Sequence, residues 1–215
     1  MAVRYLAIEG PPCVGKTELA RLLGRSMKAR LVLEEAEENP FLPLFYENPE
    51  LYGFQTQVFF MLHRYRQQQD LHQMDLFEST VVSNYLFARS GIYAHVCLND
   101  AELSLYERMA ETLDEKVPSP DLVIYLHNST ESLLQRVRKQ TPAYERLMTE
   151  SYMARLVEAY THFFFHYSES PLLIINVSQV DFVRNPEGLE ELLQQVKAPP
   201  AGTRYYRPSR IEKLS

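Results

Sequence analysis

The 215 residues include no tryptophan and only two cysteines, Cys13 and Cys97. Two thiols cannot build a disulfide framework, so the expected compartment is a reducing cytoplasm. The missing tryptophan excludes nothing. No apolar run is long enough to cross a bilayer, which argues against a membrane role. The N-terminal apolar stretch is cut short by Glu9 and a glycine turn, unlike a signal peptide. Positive charge is also scarce: 22 Lys and Arg stand against 28 Asp and Glu, a net charge of −6. A nucleic-acid polymer calls for a basic face, and this balance gives no support to such a partner. No repeat and no domain-length linker divides the chain, and its length suits one domain with a sizeable core.

What is present is organised around residues 10–17. Gly10, Pro11, Pro12, Cys13, Val14, Gly15, Lys16 and Thr17 follow an apolar run and precede a helical pattern. Two glycines with four residues between them, then Lys and a hydroxyl residue, form the phosphate-binding pattern of nucleoside-triphosphate sites. The glycines let the backbone aim successive N–H groups at phosphate oxygens. The helix start adds the positive end of its dipole, Lys16 adds a full charge, and the Thr17 hydroxyl can hold Mg2+. Cys13 reads as a space-filling loop residue.

Apolar periodicity predicts strands at residues 3–8, 31–33, 80–83, 122–126 and 172–177. Helices are expected at 17–27, 50–73, 101–114 with Asp100 as N-cap, 130–139, 145–166 and 186–196, and another from about residue 86. Alternating strands and helices predict an α/β fold, a five-stranded parallel sheet covered on both faces. Residues 1–197 form the domain. Residues 198–215, with Pro199, Pro200, Gly202, Arg204, Arg207 and Arg210, read as a flexible basic tail.

Sites in such sheets lie beyond the carboxyl ends of the strands. The second strand delivers Glu34 there, a carboxylate placed to take a proton from a hydroxyl that attacks phosphorus. The rest of the acidic run to Glu38 reads as a solvated loop. Gln57, Met61 and Arg64 share one helix face, and an amide that both donates and accepts suits a nucleobase edge. Arg64 is equally compatible with a surface ion pair. On the helix at 145–166, Tyr152, Leu156, Ala159 and Phe163 form a stripe for core packing or a dimer seam.

The segment from Asn39-Pro40 to Pro49-Glu50, then Phe54-Gln55-Thr56-Gln57 and Leu62-His63-Arg64-Tyr65-Arg66-Gln67, resembles bacterial deoxynucleoside kinases. The likeness is to the deoxyguanosine/deoxyadenosine kinase branch, related to deoxycytidine kinase, and spans residues 5–183. It implies a P-loop kinase fold, ATP and Mg2+, a small nucleoside substrate and a homodimer formed through helices. By the resemblance Glu34 is the catalytic base for the sugar 5′-hydroxyl, and Tyr46 and Glu145 hold the 3′-hydroxyl. Gln57 reads the base, Arg64 is a second base-side residue, and Arg136 of the lid approaches the transferred phosphoryl group. Arg89 matches a further base-side position, and two cations there would favour the acceptor-rich edge of guanine. Deoxyguanosine is thus the expected substrate, with deoxyadenosine next.

Two departures from the family pattern stand out. The third strand ends in Ser83-Asn84-Tyr85, with no charge where relatives carry one. The lid offers Arg136, Arg138 and Lys139, then Gln140, Thr141 and Pro142, in place of three arginines around a glycine. Arg138 or Lys139 is left to supply donor-phosphate contacts. The rival readings are a nucleoside-monophosphate kinase of the thymidylate type and a kinase-derived nucleotide-binding protein with little turnover.

Overall fold

Every residue of β1 (Tyr5–Glu9) is buried, as a parallel strand covered on both faces requires. The computed structural model describes residues 3–73, 80–114, 117–178 and 180–208. After β1 come α1 (Lys16–Met27), β2 (Arg30–Val32), α2 (Leu42–Glu47), α3 (Pro49–Gln73) and β3 (Val81–Ser83). Then follow α4 (Arg89–Cys97), α5 (Asp100–Asp114), β4 (Leu122–His127) and α6 (Thr130–Gln140). The chain continues through α7 (Glu150–His166), β5 (Leu172–Asn176), α8 (Pro186–Lys197) and β6 (Thr203–Tyr206). The strands pair in parallel in the order β2-β3-β1-β4-β5-β6. The chain leaves β1 for β2, returns to β3 beside β1, and only then crosses to β4. That reversal around β1 opens the crevice in which such sheets bind ligands.

The two-residue period of the strands decides which side chains reach that crevice. Leu6 and Ile8 enter a core shared with Leu19 and Leu23 of α1 and Leu192 of α8. Tyr5 and Ala7 face the other way, onto Tyr160 and Phe164 of α7. Glu9, two residues beyond Ala7, therefore points to the α7 side. A third cluster, around Met61, Ala94 and Tyr106, binds α3 to α4 and α5.

The sheet has six strands rather than five. The sixth comes from the stretch expected to be a loose tail: Thr203–Tyr206 pairs with β5, and the Gly202 carbonyl accepts from Leu172 N–H at 3.1 Å. Four residues, three of them β-prone, suffice because α8 also holds them. Arg204 donates to Gln195 at 2.8 Å and Tyr206 to Glu191 at 3.3 Å. Residues 209–215 lie outside the described residues. Tyr206→Ala is expected to cost about 1–2 kcal/mol in urea unfolding, since its ring packs on the core. A loose tail would give no change.

Three local expectations also change. The helix at 145–166 is two pieces, a 3-10 turn Glu145–Leu147 and α7, because the Thr149 hydroxyl caps α7 by accepting from Tyr152 N–H at 3.1 Å. Asn99, not Asp100, caps α5: its side-chain oxygen accepts from the N–H groups of Ala101 and Glu102, each at 3.1 Å. The buried stripe of α7 is Met153, Leu156, Tyr160 and Phe164, rotated from the one expected.

Candidate active site

The phosphate loop joins β1 to α1 through three residues with positive φ: Gly10 (152°), Cys13 (58°) and Gly15 (107°). A Cβ on Gly10 would collide with the Leu126 carbonyl, so glycine is required there for space as well as conformation. The first N–H groups of α1 have no partner within the helix and face the loop, a ready anion site. Lys16 Nζ donates to the carbonyls of Gly10 at 2.7 Å and Pro11 at 2.9 Å. Burial, then the nearby Arg89 charge, lowers its pKa to about 8. Arg136 reaches over from α6, its Nη1 3.3 Å from the Cys13 carbonyl and 3.4 Å from that of Val14. Arg138 and Lys139 are exposed at the end of α6 and are not brought to the loop. Burial, with Glu145 adding to it, pushes the Cys13 thiol up to about 11, so it is no nucleophile. From the loop a cleft of about 460 Å³ extends past Thr141 to Val180, Asp181 and Phe182 beyond β5.

Glu34 lies just past β2, with its side chain 8% exposed. Burial alone would raise its pKa. Instead the guanidinium groups of Arg64 and Arg89 grip the two carboxylate oxygens and bring it down to about 2. Arg64 also donates to the Ser90 hydroxyl at 2.7 Å. The two cations expected beside a nucleobase are thus both engaged with Glu34, and the sequence-based preference for guanine that rested on them loses that support. Neither is a surface residue: Arg64 is 2% and Arg89 8% exposed.

Asn84 connects the backbone of Glu34 to the phosphate loop. Its Oδ1 accepts from the Glu34 backbone N–H at 2.7 Å, and its Nδ2 donates to the Thr17 hydroxyl at 2.8 Å. The Glu34 N–H can only donate, so it fixes the amide's orientation and leaves Thr17 as an acceptor. Neutral Asn84 therefore couples the two halves of the site by hydrogen bonds, where a carboxylate would have brought charge.

Tyr46 at the end of α2 packs against Tyr144, ring centroids 6.1 Å apart, which brings the 3-10 turn bearing Glu145 to the same wall. Burial, then Glu145, pushes the Tyr46 hydroxyl well up. Burial and Glu37 raise the Glu145 carboxyl, while Lys16 opposes them. On α3, Gln57, Met61 and Arg64 are all buried on one face. The Gln57 amide, 3% exposed, makes no hydrogen bond among the described residues.

Sequence reasoning missed Glu9, Ser90, Tyr93 and Tyr160. Glu9 carried a readable signal, a carboxylate closing an otherwise apolar strand directly before the first glycine. It is fully buried, and its Oε1 accepts from Gly10 N–H at 2.8 Å and Tyr160 hydroxyl at 3.1 Å. Its Oε2 accepts from Leu86 N–H at 2.8 Å. The other three become partners only once α4 and α7 pack on the sheet.

A lysine-bearing loop at the reversal of a parallel sheet, faced by a carboxylate across one bridging amide, belongs to phosphotransferases with the P-loop kinase fold. Comparison with known proteins narrows the class. The family model described as deoxynucleoside kinase matches residues 6–199, and the chain belongs to that family. The chain is 30% identical over 198 residues to the deoxyguanosine kinase of Bacillus subtilis (strain 168), covering 90% of this chain and 96% of that one. It is 27% identical over 205 residues to the deoxyadenosine kinase of Lactobacillus acidophilus, covering 90% and 95%. The deoxyadenosine kinase of M. mycoides, solved with bound dCTP, superposes with a TM-score of 0.78 at 20% identity, covering 90% and 99%. That last likeness speaks to the fold.

Proposed function

We propose that this deoxynucleoside kinase transfers the γ-phosphoryl group of ATP to the 5′-hydroxyl of a purine deoxyribonucleoside, deoxyguanosine before deoxyadenosine. The observation that carries the reading is the Asn84 bridge, which fixes Glu34 and the phosphate loop in one site. Glu34 orients the 5′-hydroxyl and takes its proton as the oxygen bonds to phosphorus and the bridging oxygen of the donor departs. A carboxylate with so low a pKa is a weak base. In a loose transition state the proton leaves late, so orientation does most of the catalytic work. Lys16 and Arg136 balance phosphate charge on the donor side. The cleft past Val180 and Phe182 suits the donor base.

Thr17 is the protein's hydroxyl for Mg2+, and one lone pair remains after the Asn84 bond. Among the described residues no group of three or more His, Cys, Asp or Glu is placed to hold a metal. The ion, when bound, would take its other ligands from phosphates and water and neutralise their charge. Tyr46 and Glu145 hold the sugar 3′-hydroxyl, while Gln57, Met61 and Arg64 line the base side.

The engagement of Arg64 and Arg89 with Glu34 favours a nucleoside over a nucleoside monophosphate, since neither guanidinium is left for an acceptor phosphate. The free Gln57 amide serves either purine, and the relative named for deoxyguanosine at 30% identity supports guanine. A groove of about 570 Å³ between α4 and α7, lined by Gly91, Ile92, Ala159 and Phe163, suits pairing with a second copy. No helix among the described residues is long and apolar enough to cross a membrane. Both thiols are free, in keeping with the cytoplasm.

Steady-state assays with ATP and deoxyguanosine, deoxyadenosine, deoxycytidine, thymidine and dGMP test the reading. Deoxyguanosine is expected to give the highest kcat/KM and dGMP none. Preference for dGMP, or for a pyrimidine nucleoside, would overturn it.

A further inference from the structure

The charged side chains at the centre of the site form one buried row of alternating sign, Glu9, Arg89, Glu34 and Arg64. Side-chain exposures are 0% and 9% for the first pair, and 8% and 2% for the second. Their charges sum to zero, and a buried row of this kind persists because each charge has an opposite neighbour. Arg89 sits inside the row: two of its nitrogens donate hydrogen bonds, and the third, Nε, makes none among the described residues but faces Glu9. Nη1 donates to Glu34, Nη2 donates to the Tyr93 hydroxyl at 3.1 Å, and Nε lies 3.7 Å from Glu9 Oε1. The guanidinium carbon rests 4.8 Å from the centroid of the Tyr93 ring. Glu9 is itself fixed by Gly10 at the start of the phosphate loop, by Leu86 just before α4, and by Tyr160 of α7.

We propose that Arg89 is a positioning residue for Glu34, tethered through Glu9 to the start of the phosphate loop, and that it does not read the nucleobase. The end of β3 supplies only Ser83 and Asn84, so the second cation on Glu34 comes from the first residue of α4. A forked guanidinium holds a carboxylate in one orientation, which a point charge does not. The tether keeps that orientation in register with the loop that carries the phosphates. The proposal deepens the kinase reading and rests on it for its kinetic part alone.

The test uses the full chain with Arg89→Met and Arg89→Lys, and two readouts. The first needs no substrate: the side-chain carboxyl carbon of Glu34, followed by 13C NMR as pH is lowered. The groups facing it are Arg64 of α3, Arg89 and Tyr93 of α4, Lys16 of α1, Tyr85 beyond β3 and, through Arg89, Glu9 of β1. In the wild type Glu34 stays ionised throughout the folded range. Loss of a cation in Arg89→Met moves its midpoint up by about 1–3 units, into that range. Arg89→Lys keeps the charge and the ionised state.

The second readout is kinetic. Arg89→Met is expected to lower kcat about 10- to 100-fold, with nucleoside KM within about threefold and the deoxyguanosine-to-deoxyadenosine ratio unchanged. Arg89→Lys, lacking the fork, lies between the two. A Glu34 midpoint unmoved in Arg89→Met would overturn the proposal. So would a purine ratio shifted about tenfold with kcat retained, since that marks a base reader. Should Arg89→Met fail to fold, the purine ratio and kcat of Arg89→Lys decide the same question. A wild type that phosphorylates no deoxynucleoside would sink the kinase reading, and the titration would still report on Arg89.

Discussion

Glu34→Gln is expected to lower kcat by about 10²-fold or more, the loss that follows when the group that orients the attacking hydroxyl and takes its proton is removed. It should also destabilise the fold, because Arg64 would be left as a buried cation without a counter-charge and Arg89 with only Glu9, 3.7 Å from its Nε. Stranding such a pair costs on the order of 3 kcal/mol. The sign of the pH dependence follows from the carboxyl's folded pKa of about 2, below its value in the unfolded chain. Its contribution is complete above the unfolded value of about 4.3 and is lost as pH falls toward 2. The stability gap between wild type and variant is thus widest near neutrality and closes in acid. Urea unfolding at several pH values, with kcat measured where the variant is fully folded, separates the two effects. A folded variant with wild-type kcat would make Glu34 a structural residue, whatever its stability.

Lys16→Met is expected to lower kcat/KM by about 10²- to 10³-fold, the loss typical of one preorganised charge contact to the transition state. Here stability moves the other way. The folded pKa of about 8 lies below the ordinary lysine value because the ammonium is buried and Arg89 is near. Between about pH 8 and 10.4 the unfolded chain binds more protons, so the wild type gains stability as pH rises through that window. At pH 7 the folded protein carries the full cost of the charged form, and methionine removes it. The variant should therefore unfold at an equal or higher temperature than wild type at pH 7, with its advantage gone by about pH 10. Thermal melts across that range check this. A less stable variant at pH 7 would mean that Lys16 braces the loop as much as it serves phosphate.

The parts of this site legible in the sequence were those fixed by short-range spacing. Gly10 to Thr17 declare themselves because loop conformation and helix start lie within eight residues. Glu34 was placed by its position just past β2, and Gln57, Met61 and Arg64 by helical period. The hidden parts depend on packing between distant elements. Arg89 lies six residues past the end of β3 and reads as a base-side residue until α4 packs on the sheet. Tyr160 joins the site only because α7 crosses over Glu9, 151 residues away in sequence. The sixth strand escaped notice for a related reason. Prolines and arginines gave residues 198–215 the composition of a tail, and only the free edge of β5 makes Thr203–Tyr206 a strand. At residues 145–166 apolar content concealed a cap, since Thr149 caps α7 two residues after the 3-10 turn ends at Leu147.

Transfer of label from [γ-32P]ATP to deoxyguanosine, beside 2′,5′-dideoxyguanosine and with the Glu34→Gln variant as control, tests the central claim most directly. Labelled 5′-monophosphate from wild type with deoxyguanosine, none with the analogue that lacks the 5′-hydroxyl, and a trace from the variant is the result expected. Label entering the 5′-deoxy analogue, or equal product from wild type and Glu34→Gln, would contradict a carboxylate and a phosphate loop acting on one sugar hydroxyl.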